Sequence, residues 1–435
     1  MLTLYLKQAW NLVKQNKLFT TIYVAGTALA IATTMIMAIV YYVKIAPIYP
    51  EVNRNRTLYM TNSCFVNKAE KWQNQWAYSY QALKEWFYPL KNAVAVSAEL
   101  TNWDANDFIQ PFDNSGDFQI KKRDVDPAFF RIYDFRFLEG KPFTEADLES
   151  GIRSAVISDK LARRIFGTES GVVGKSFTMN YLDYRVAGVV EEASFLTHQS
   201  FGQVYVPYST VSGYDQSGGF LPYYGGYVFT FLVDSDEQEA ALREEINEFV
   251  RKYNASQDKW KLNIRNQPRS HVLTVFQRFV EDNFSWASVV PEYLIILLVL
   301  LLVPALNLSG MIAGRMETRL AEMGIRKSFG ACRSGLLRQV MWENLVLTLA
   351  GGVLGLLLAW MALVVCRDWV FALFDSYPEA LMESMTTHVS GEMLLAPSVF
   401  IAALLLCVLL NLFSALIPAW NSLRHPIIQS LNEKR

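Results

Sequence analysis

The chain has 435 residues, 52% of them hydrophobic and 19% charged, with a formal net charge of −1. That length accommodates two or three domains, the apolar balance fits a protein partly inside a membrane, and a near-zero charge leaves no global field to attract nucleic acid. Cys64, Cys332, Cys366 and Cys407 lie too far apart to suggest a disulfide framework, and only a shared side of the membrane would favour pairing Cys64 with Cys366.

Residues 1–17 are predicted as a cytoplasmic amphipathic helix. Leu2, Tyr5, Leu6, Ala9, Leu12 and Val13 share one face, and Thr3, Lys7, Asn11 and Lys14 the other. Two readings stay open: a helix lying among headgroups, or a cytoplasmic extension of the first span. Residues 18–43 follow without one Asp, Glu, Lys or Arg. About 20 mostly apolar residues cross a bilayer as a helix, so this is the first predicted span. Ala28 and Ala30 imitate a signal-peptide cleavage pattern, but the apolar run continues past them, which favours an uncleaved anchor.

Residues 44–290 are long enough for a folded domain with its own core. Ser154–Ser158 and Tyr184–Val190 are β-rich, and Asp159–Phe166 reads as a short helix capped by Asp159 or Ser158. Gly225–Val233 reads as a buried strand and Lys261–Arg265 as another. Between them Asp236–Tyr253 is an amphipathic helix, with Ala241, Ile246, Phe249 and Val250 predicted inward. Helices flanked by strands make this an α+β unit. In His271–Trp286 the residues Val272, Val275, Phe276, Phe279 and Val280 are helically spaced. This segment is either a stalk continuing the second span or a core helix of the outer domain.

Three more predicted spans follow at 291–314, 341–366 and 396–420, each around a long uncharged run. Pro304 and Asn307 in the second are positioned to bend it. Between the second and third, Arg315–Gln339 reads RMETRLAEMGIRKSFGACRSGLLRQ, with six basic residues against Glu317 and Glu322. Lys and Arg gather on the cytoplasmic side. The segment 315–340 is therefore inside, as are Lys7, Lys14 and Lys17 and the 421–435 tail with Arg424, Lys434 and Arg435. The loop 367–395 carries Arg367 against Asp368, Asp375, Glu379, Glu383 and Glu392, and is placed outside together with 44–290. The expected protein is an α-helical membrane protein with four transmembrane helices and a large α+β extracytoplasmic domain between the first two, with both termini cytoplasmic. Small residues at four-residue spacing (Gly26 and Ala30, Gly310 and Gly314, Gly351 and Gly355) mark faces where helix backbones approach, within one bundle or across a dimer.

Chemistry is sparse. Gly171–Ser176 reads GVVGKS, but a phosphate-binding loop needs Gly where Glu169 stands. His198, His271, His388 and His425 stand alone, with no metal-ligand spacing, and no nucleophile elbow is present. No catalytic or metal-binding residue is assigned, no cofactor is expected in this chain, and ATP hydrolysis would need a separate chain.

The basic segment does carry a site. Gly324 and Gly330 bracket Ile325–Phe329. Ile325 and Phe329 share a helical face suited to a partner's groove, with Arg326 and Lys327 exposed beside it. By spacing alone, a basic loop held to anionic headgroups fits equally well. Glu343 and Asn344 open the third span. An acid at membrane depth is costly and usually paired, with Arg338 or Arg319 as the expected partner; the alternative is a water-exposed interfacial side chain.

Arg319–Ala331, RLAEMGIRKSFGA, resembles the cytoplasmic coupling motif of the FtsX/MacB-like ABC transporter permeases. Val125–Ser209, with its blocks VDPAFFRIYDFRFLEGKPFTEAD, AVISDKLARRIFG and GVVGKSFTMNYLDYRVAGVVEEAS, is similar to the periplasmic core domain of MacB-like permeases, and Pro418–Asn432 matches the family's C-terminal end. The resemblance covers nearly the whole chain, least well at 50–124 and 376–392. It implies an outer domain in two parts, one inserted in the other at about 126–207. It also implies an ATPase subunit, which supplies ATP and Mg, bound at Arg319, Glu322, Gly324, Ile325, Arg326, Lys327, Phe329, Gly330 and Ala331 with Glu343 in support. A second permease copy or paralogue would complete a dimer, and a periplasmic adaptor and outer-membrane tunnel are compatible partners. In such proteins ATP drives outer-domain motion (mechanotransmission), and the expected role is export or efflux from a bacterial inner membrane. The alternatives are a lipoprotein-releasing permease and a signalling protein that activates a cell-wall hydrolase. A plain adhesion or receptor anchor would not need the basic segment.

Overall fold

The computed structural model describes residues 17–276 apart from 70–72, 102–106, 112–115 and 218–222, then 320–366, 369–371 and 397–424, with isolated positions between 286 and 317. They form two compact units that divide at Val43 and near Ser285. Among the described residues, three helices are long and apolar enough to cross a membrane: Thr20–Ile45, Arg333–Val365 and Pro397–Asn421. The amphipathic helix expected at the N-terminus, most of the span expected at 291–314 with its Pro304 bend, the continuation of the stalk past residue 276, and most of the loop 367–395 lie outside the described residues. The first apolar helix, α1, is Lys17–Ile45.

The outer unit is α+β. Its strands begin with β1 (Thr57–Met60), β2 (Ser63–Asn67), β3 (Gln73–Tyr78), β4 (Ala95–Leu100), β5 (Asp107–Gln110), β6 (Phe118–Ile120) and β7 (Lys122–Val125). They continue with β8 (Phe137–Gly140), β9 (Ser154–Ser158), β10 (Ser176–Met179), β11 (Leu182–Val190), β12 (Val204–Pro207), β13 (Tyr224–Gly225), β14 (Tyr227–Leu232), β15 (Trp260–Asn263) and β16 (Arg269–Ser270). The hydrogen-bonded order is β15-β2-β3-β14-β4-β7-β12-β9-β11-β10-β5-β6, with β1 on β14 and β16, β13 on β3, and β8 on β11. Among the described residues, three apolar cores sit along it. Phe65, Tyr78, Phe87, Phe229, Phe231 and Leu242 fill one, and Val156, Ile157, Phe177, Val189, Val204 and Tyr205 contribute to those beyond β7.

The passage between these parts of the sheet is narrow. β7 runs parallel to β12 over four residue pairs, but meets β4 only at Glu99↔Val125 and Leu100↔Asp124. Side chains reinforce it. Asp126 accepts from Ser97 Oγ and the Ala98 amide, both at 2.8 Å, and from the Tyr88 hydroxyl at 3.0 Å. Burial pushes the Asp126 carboxyl up to about 7, against the pull of these donors.

Local sequence decides several elements directly. β9 and the helix α2 (Asp159–Phe166) lie where the sequence predicts them. Ser158 is the cap, its Oγ accepting from the Leu161 amide at 3.3 Å, and Gly167 ends the helix at φ 72°, a left-handed conformation glycine adopts without a Cβ clash. The helix α3 (Asp236–Ser256) buries Leu242, Ile246 and Tyr253, with Phe249 and Val250 partly buried against the same core. Ala241 is not in that stripe: five residues from Ile246, it points well away around the helix, whereas Leu242 is one turn from it. The strand expected at Lys261–Arg265 ends earlier, at Asn263, because Arg265 and Asn266 take left-handed backbone angles of 51° and 59°. The helix α4 (His271–Phe276) follows. The GVVGKS stretch is a turn before β10. Its Gly171 and Val172 amides donate to Glu139 Oε2 at 2.8 and 3.3 Å, so a carboxylate of this chain takes the place a phosphate would need.

Among the described residues of the apolar unit, α1 is accompanied by α5 (Leu320–Ser328), α6 (Arg333–Val365) and α7 (Pro397–Arg424). Of the small-residue pairs, Gly351 and Gly355 sit at a close approach of α6 to α1. A Cβ on Gly355 would lie 2.7 Å from Ala28 O and 3.0 Å from Ile31 Cβ, whereas one on Gly26 would meet nothing within 4 Å. Tyr23 and Thr348 exchange a hydroxyl contact of 3.2 Å across the same pair. Gly355→Ala should therefore destabilise the purified protein by about 1–3 kcal/mol through overpacking, and Gly26→Ala should be neutral by comparison. Thermal melting in detergent checks both. Cys64 and Cys366 form no disulfide; the first is buried and the second exposed.

Candidate functional site

The basic segment forms a helical hairpin. α5 runs from Leu320 to Ser328, and Phe329 N donates to Ile325 O at 3.1 Å as the helix closes. Gly330, at φ 89°, then reverses the chain through a left-handed conformation that side chains rarely adopt. The Gly330 and Ala331 amides return to Lys327 O and Arg326 O, both at 3.0 Å. These bonds satisfy carbonyls a helix end otherwise leaves open. Cys332 caps α6, which starts at Arg333 and continues without a break into the third apolar stretch. The foot of that helix is thus part of the basic segment.

The hairpin is amphipathic in an unusual direction. Met323 is 2% exposed and packs with Leu336, Val340, Tyr23 and Ala419 in the core of the unit. Gly324 is buried beside it. On the other side Ile325 is 49% and Phe329 87% exposed. Arg326 and Lys327 are half-buried between them, and Glu322, Gly330 and Arg333 are exposed. Partial burial, then the nearby Arg333, lower the Lys327 pKa from its ordinary value. The structure therefore brings Glu322, Ile325, Arg326, Lys327, Phe329, Gly330 and Ala331 together on α5 and the reversal that ends it; Arg319 lies outside the described residues.

A polar relay leads from this surface inward. Arg326 Nη2 donates to Glu322 Oε1 at 2.6 Å and Nη1 to Gln339 Oε1 at 2.8 Å. Gln339 Nε2 in turn donates to Glu343 Oε1 at 3.1 Å. Glu343 and Asn344 are each 2% exposed, which places the acid inside the helix packing rather than in the water-exposed interface. Gln339, one turn before it on α6, is one of its partners; Arg338 is exposed, and Arg319 lies outside the described residues. Sequence reading missed Gln339, although its i, i+4 spacing to Glu343 was available as a signal. Glu343→Gln keeps the shape but puts an amide where Gln339 finds a carboxyl, so we expect Arg326 to be less firmly oriented and any ATPase bound here to couple several-fold less efficiently. Unchanged nucleotide-stimulated activity would deny the relay a role.

A two-part family match decides what such a chain is. Residues 20–249 match the MacB-like periplasmic core domain, and residues 294–427 match the FtsX-like permease C-terminal domain. This chain belongs to the MacB-like, FtsX-type ABC transporter permeases. The MacB-like permease is therefore a membrane-embedded protein with a periplasmic-type α+β domain. A macrolide export ATP-binding/permease protein MacB of Shewanella oneidensis is 25% identical over 247 residues, 55% of this chain and 35% of the relative. The uncharacterized ABC transporter permease YknZ of Bacillus subtilis is 22% identical over 234 residues, 53% of this chain and 54% of its own length. The permease thus spans between about a third and about half of the length of these curated relatives. Among solved structures, the extracellular domain of YknZ from Gram-positive bacteria covers 47% of this chain and 99% of its own, at 15% identity and TM-score 0.34. The periplasmic region of MacB from Actinobacillus actinomycetemcomitans covers 48% and 88%, at 17% identity and TM-score 0.35.

Proposed function

We propose that this chain is the membrane subunit of an ABC-type export machine in a bacterial inner membrane, driven by a separate ATPase docked at 319–331. The observation that carries this reading is the exposed Ile325–Phe329 face, flanked by Arg326 and Lys327, on a helix whose opposite face is held in the core by Met323. Exposed large apolar side chains beside cations fit a protein groove better than water. In this proposal there are four spans, at 18–43, 291–314, 341–366 and 396–420, both termini are cytoplasmic, and 44–290 is outside with an inserted part at about 126–207. Two copies, or this chain and a paralogue, form the permease dimer. ATP and Mg bind in the ATPase, and its closure moves α5 and, through the spans, the outer domain. Switching a two-state assembly nearly completely takes about 5.5 kcal/mol of differential binding, which nucleotide in the ATPase would supply. Names of relatives that mention macrolide and pyoverdine export support efflux over lipoprotein release or hydrolase activation, at the level of likeness.

Coexpression with an ABC ATPase encoded beside it tests the proposal. The expected result is a stoichiometric complex whose hydrolysis changes when the permease is present. A permease that purifies free of every such ATPase and leaves hydrolysis untouched would contradict it.

A further inference from the structure

The outer end of α1 is held by a buried polar cluster that nothing above explains. From Val43 onward the helix belongs to the outer unit, and a helix leaves its last carbonyls without intrahelical donors. Arg54 Nη1 donates to Val43 O at 2.6 Å and to Ala46 O at 2.8 Å. His271, the first residue of α4, has Nε2 at 2.9 Å from Lys44 O. A carbonyl only accepts, so the proton is on Nε2, and Nδ1 is left to accept from the Tyr59 hydroxyl at 3.4 Å. Burial, then Arg54, lower the His271 pKa to about 4, which keeps the ring neutral in this role.

The same guanidinium is anchored from behind. Arg54 Nε donates to Glu51 Oε2 at 2.7 Å, and Glu51 Oε1 accepts from the Ser200 amide and hydroxyl, both at 2.9 Å. Arg54 and Glu51 are 3% and 1% exposed. Burial opposes the Glu51 charge, but Arg54, and with it the Ser200 hydroxyl, hold its carboxyl below the ordinary range. Ser200 belongs to a turn tied by Thr197: the Ser200 and Phe201 amides donate to Thr197 O at 3.1 and 2.8 Å. That turn leads into β12, which pairs with β7 and β9. One ion pair therefore links four pieces of chain: the end of α1, the elbow after it, the turn before β12 and, through Lys44 O, the start of α4.

A buried ion pair is poor evidence of stability, because an apolar pair of similar volume often serves as well. Its distinctive property is direction. The planar fork of arginine fixes two carbonyls and a carboxylate at set angles, which no apolar packing imposes. We propose that Glu51 and Arg54 are positioning residues that lock the outer end of the first helix to the turn at 197–201, so that displacement of the helix end is delivered to the segment 126–207 instead of being absorbed in the elbow. The inference rests on the proposed nucleotide-driven motion and assigns the joint through which that motion passes.

Hydrogen–deuterium exchange on the full chain with its ATPase, in lipid nanodiscs, with and without a non-hydrolysable ATP analogue, tests it. In the unaltered protein, nucleotide should change amide exchange within 126–207. In Glu51→Gln/Arg54→Met the ATPase should still bind and hydrolyse ATP, while the nucleotide-dependent change in 126–207 shrinks at least about fivefold. A purely structural role would shift melting and baseline exchange but leave that nucleotide-dependent difference intact. Arg54→Lys, which keeps the charge without the fork, should show the same loss, and it decides the matter if the double variant does not fold. A full nucleotide response in a folded Arg54→Lys protein overturns the joint while leaving the proposed machine standing. Absence of any response in the unaltered protein takes down both.

Discussion

Replacing Arg326 and Lys327 together by glutamate should abolish copurification of the ATPase while the permease still inserts and folds. Both side chains are half-buried beside the exposed Ile325 and Phe329, and neither is in the Met323 core that fixes α5. Reversing two charges at a contact of this kind removes favourable pairs and adds repulsive ones. At about 2 kcal/mol or more for each such residue, the affinity should fall at least ~100-fold. The reversal also detaches Arg326 from Glu322 and Gln339, so the helix surface loses its internal support as well. Phe329→Ala, which alters no charge, separates this account from simple attraction to anionic headgroups. It should weaken ATPase binding by about tenfold or more, whereas a purely electrostatic loop would tolerate it. Pull-down with a tagged permease measures all three proteins, and undiminished binding of the double variant would reject the docking assignment.

Arg123→Ala should be the most damaging single change in the outer unit. Its guanidinium donates to both Glu99 oxygens at 2.7 and 2.5 Å, to Phe201 O at 2.6 Å and also to His198 O. The residue is 8% exposed and sits on β7, beside the two-residue passage to β4. Truncation leaves Glu99 without its cation and removes a donor from the Phe201 and His198 carbonyls. Breaking such a pair by deleting one partner costs about 3–5 kcal/mol. Thermal unfolding of the full chain, followed by limited proteolysis of the outer unit, should show that loss. A shift of less than about 1 kcal/mol, the scale of a surface ion pair, would show that the passage is held by other contacts.

What could be read in advance follows from how local each signal is. Asp159–Phe166 needs only a Ser before it, an apolar face and a Gly after it, all within ten residues, and the structure places the helix there. α3 is equally plain, except that Ala241 and Leu242 are both apolar and only packing chooses Leu242 for the inward stripe. The exposed pair Ile325 and Phe329 was legible from four-residue spacing. Gln339 is legible only toward Glu343, through its i, i+4 spacing; its bond to Arg326 carries no signal until α5 folds against α6. The Glu51–Arg54 cluster is the extreme case. Its partners lie 149 residues away at Ser200 and 227 residues away in the bond between Lys44 and His271, and only the folded sheet brings them together. His271 stood out in the sequence only as an isolated histidine, which is an ordinary description of a buried one.

The central claim is that the hairpin at 320–332 faces the cytoplasm, where an ATPase can reach it. Two native cysteines report on this without any substitution, for Cys332 caps α6 at the hairpin and Cys366 ends the same helix, and both are exposed. Treating intact cells with a membrane-impermeant thiol reagent, and inverted membrane vesicles in parallel, measures their sides directly. The account predicts Cys366 modified in intact cells and Cys332 modified only in inverted vesicles. Modification of Cys332 from outside intact cells would place the hairpin beyond the reach of any ATPase and contradict the account.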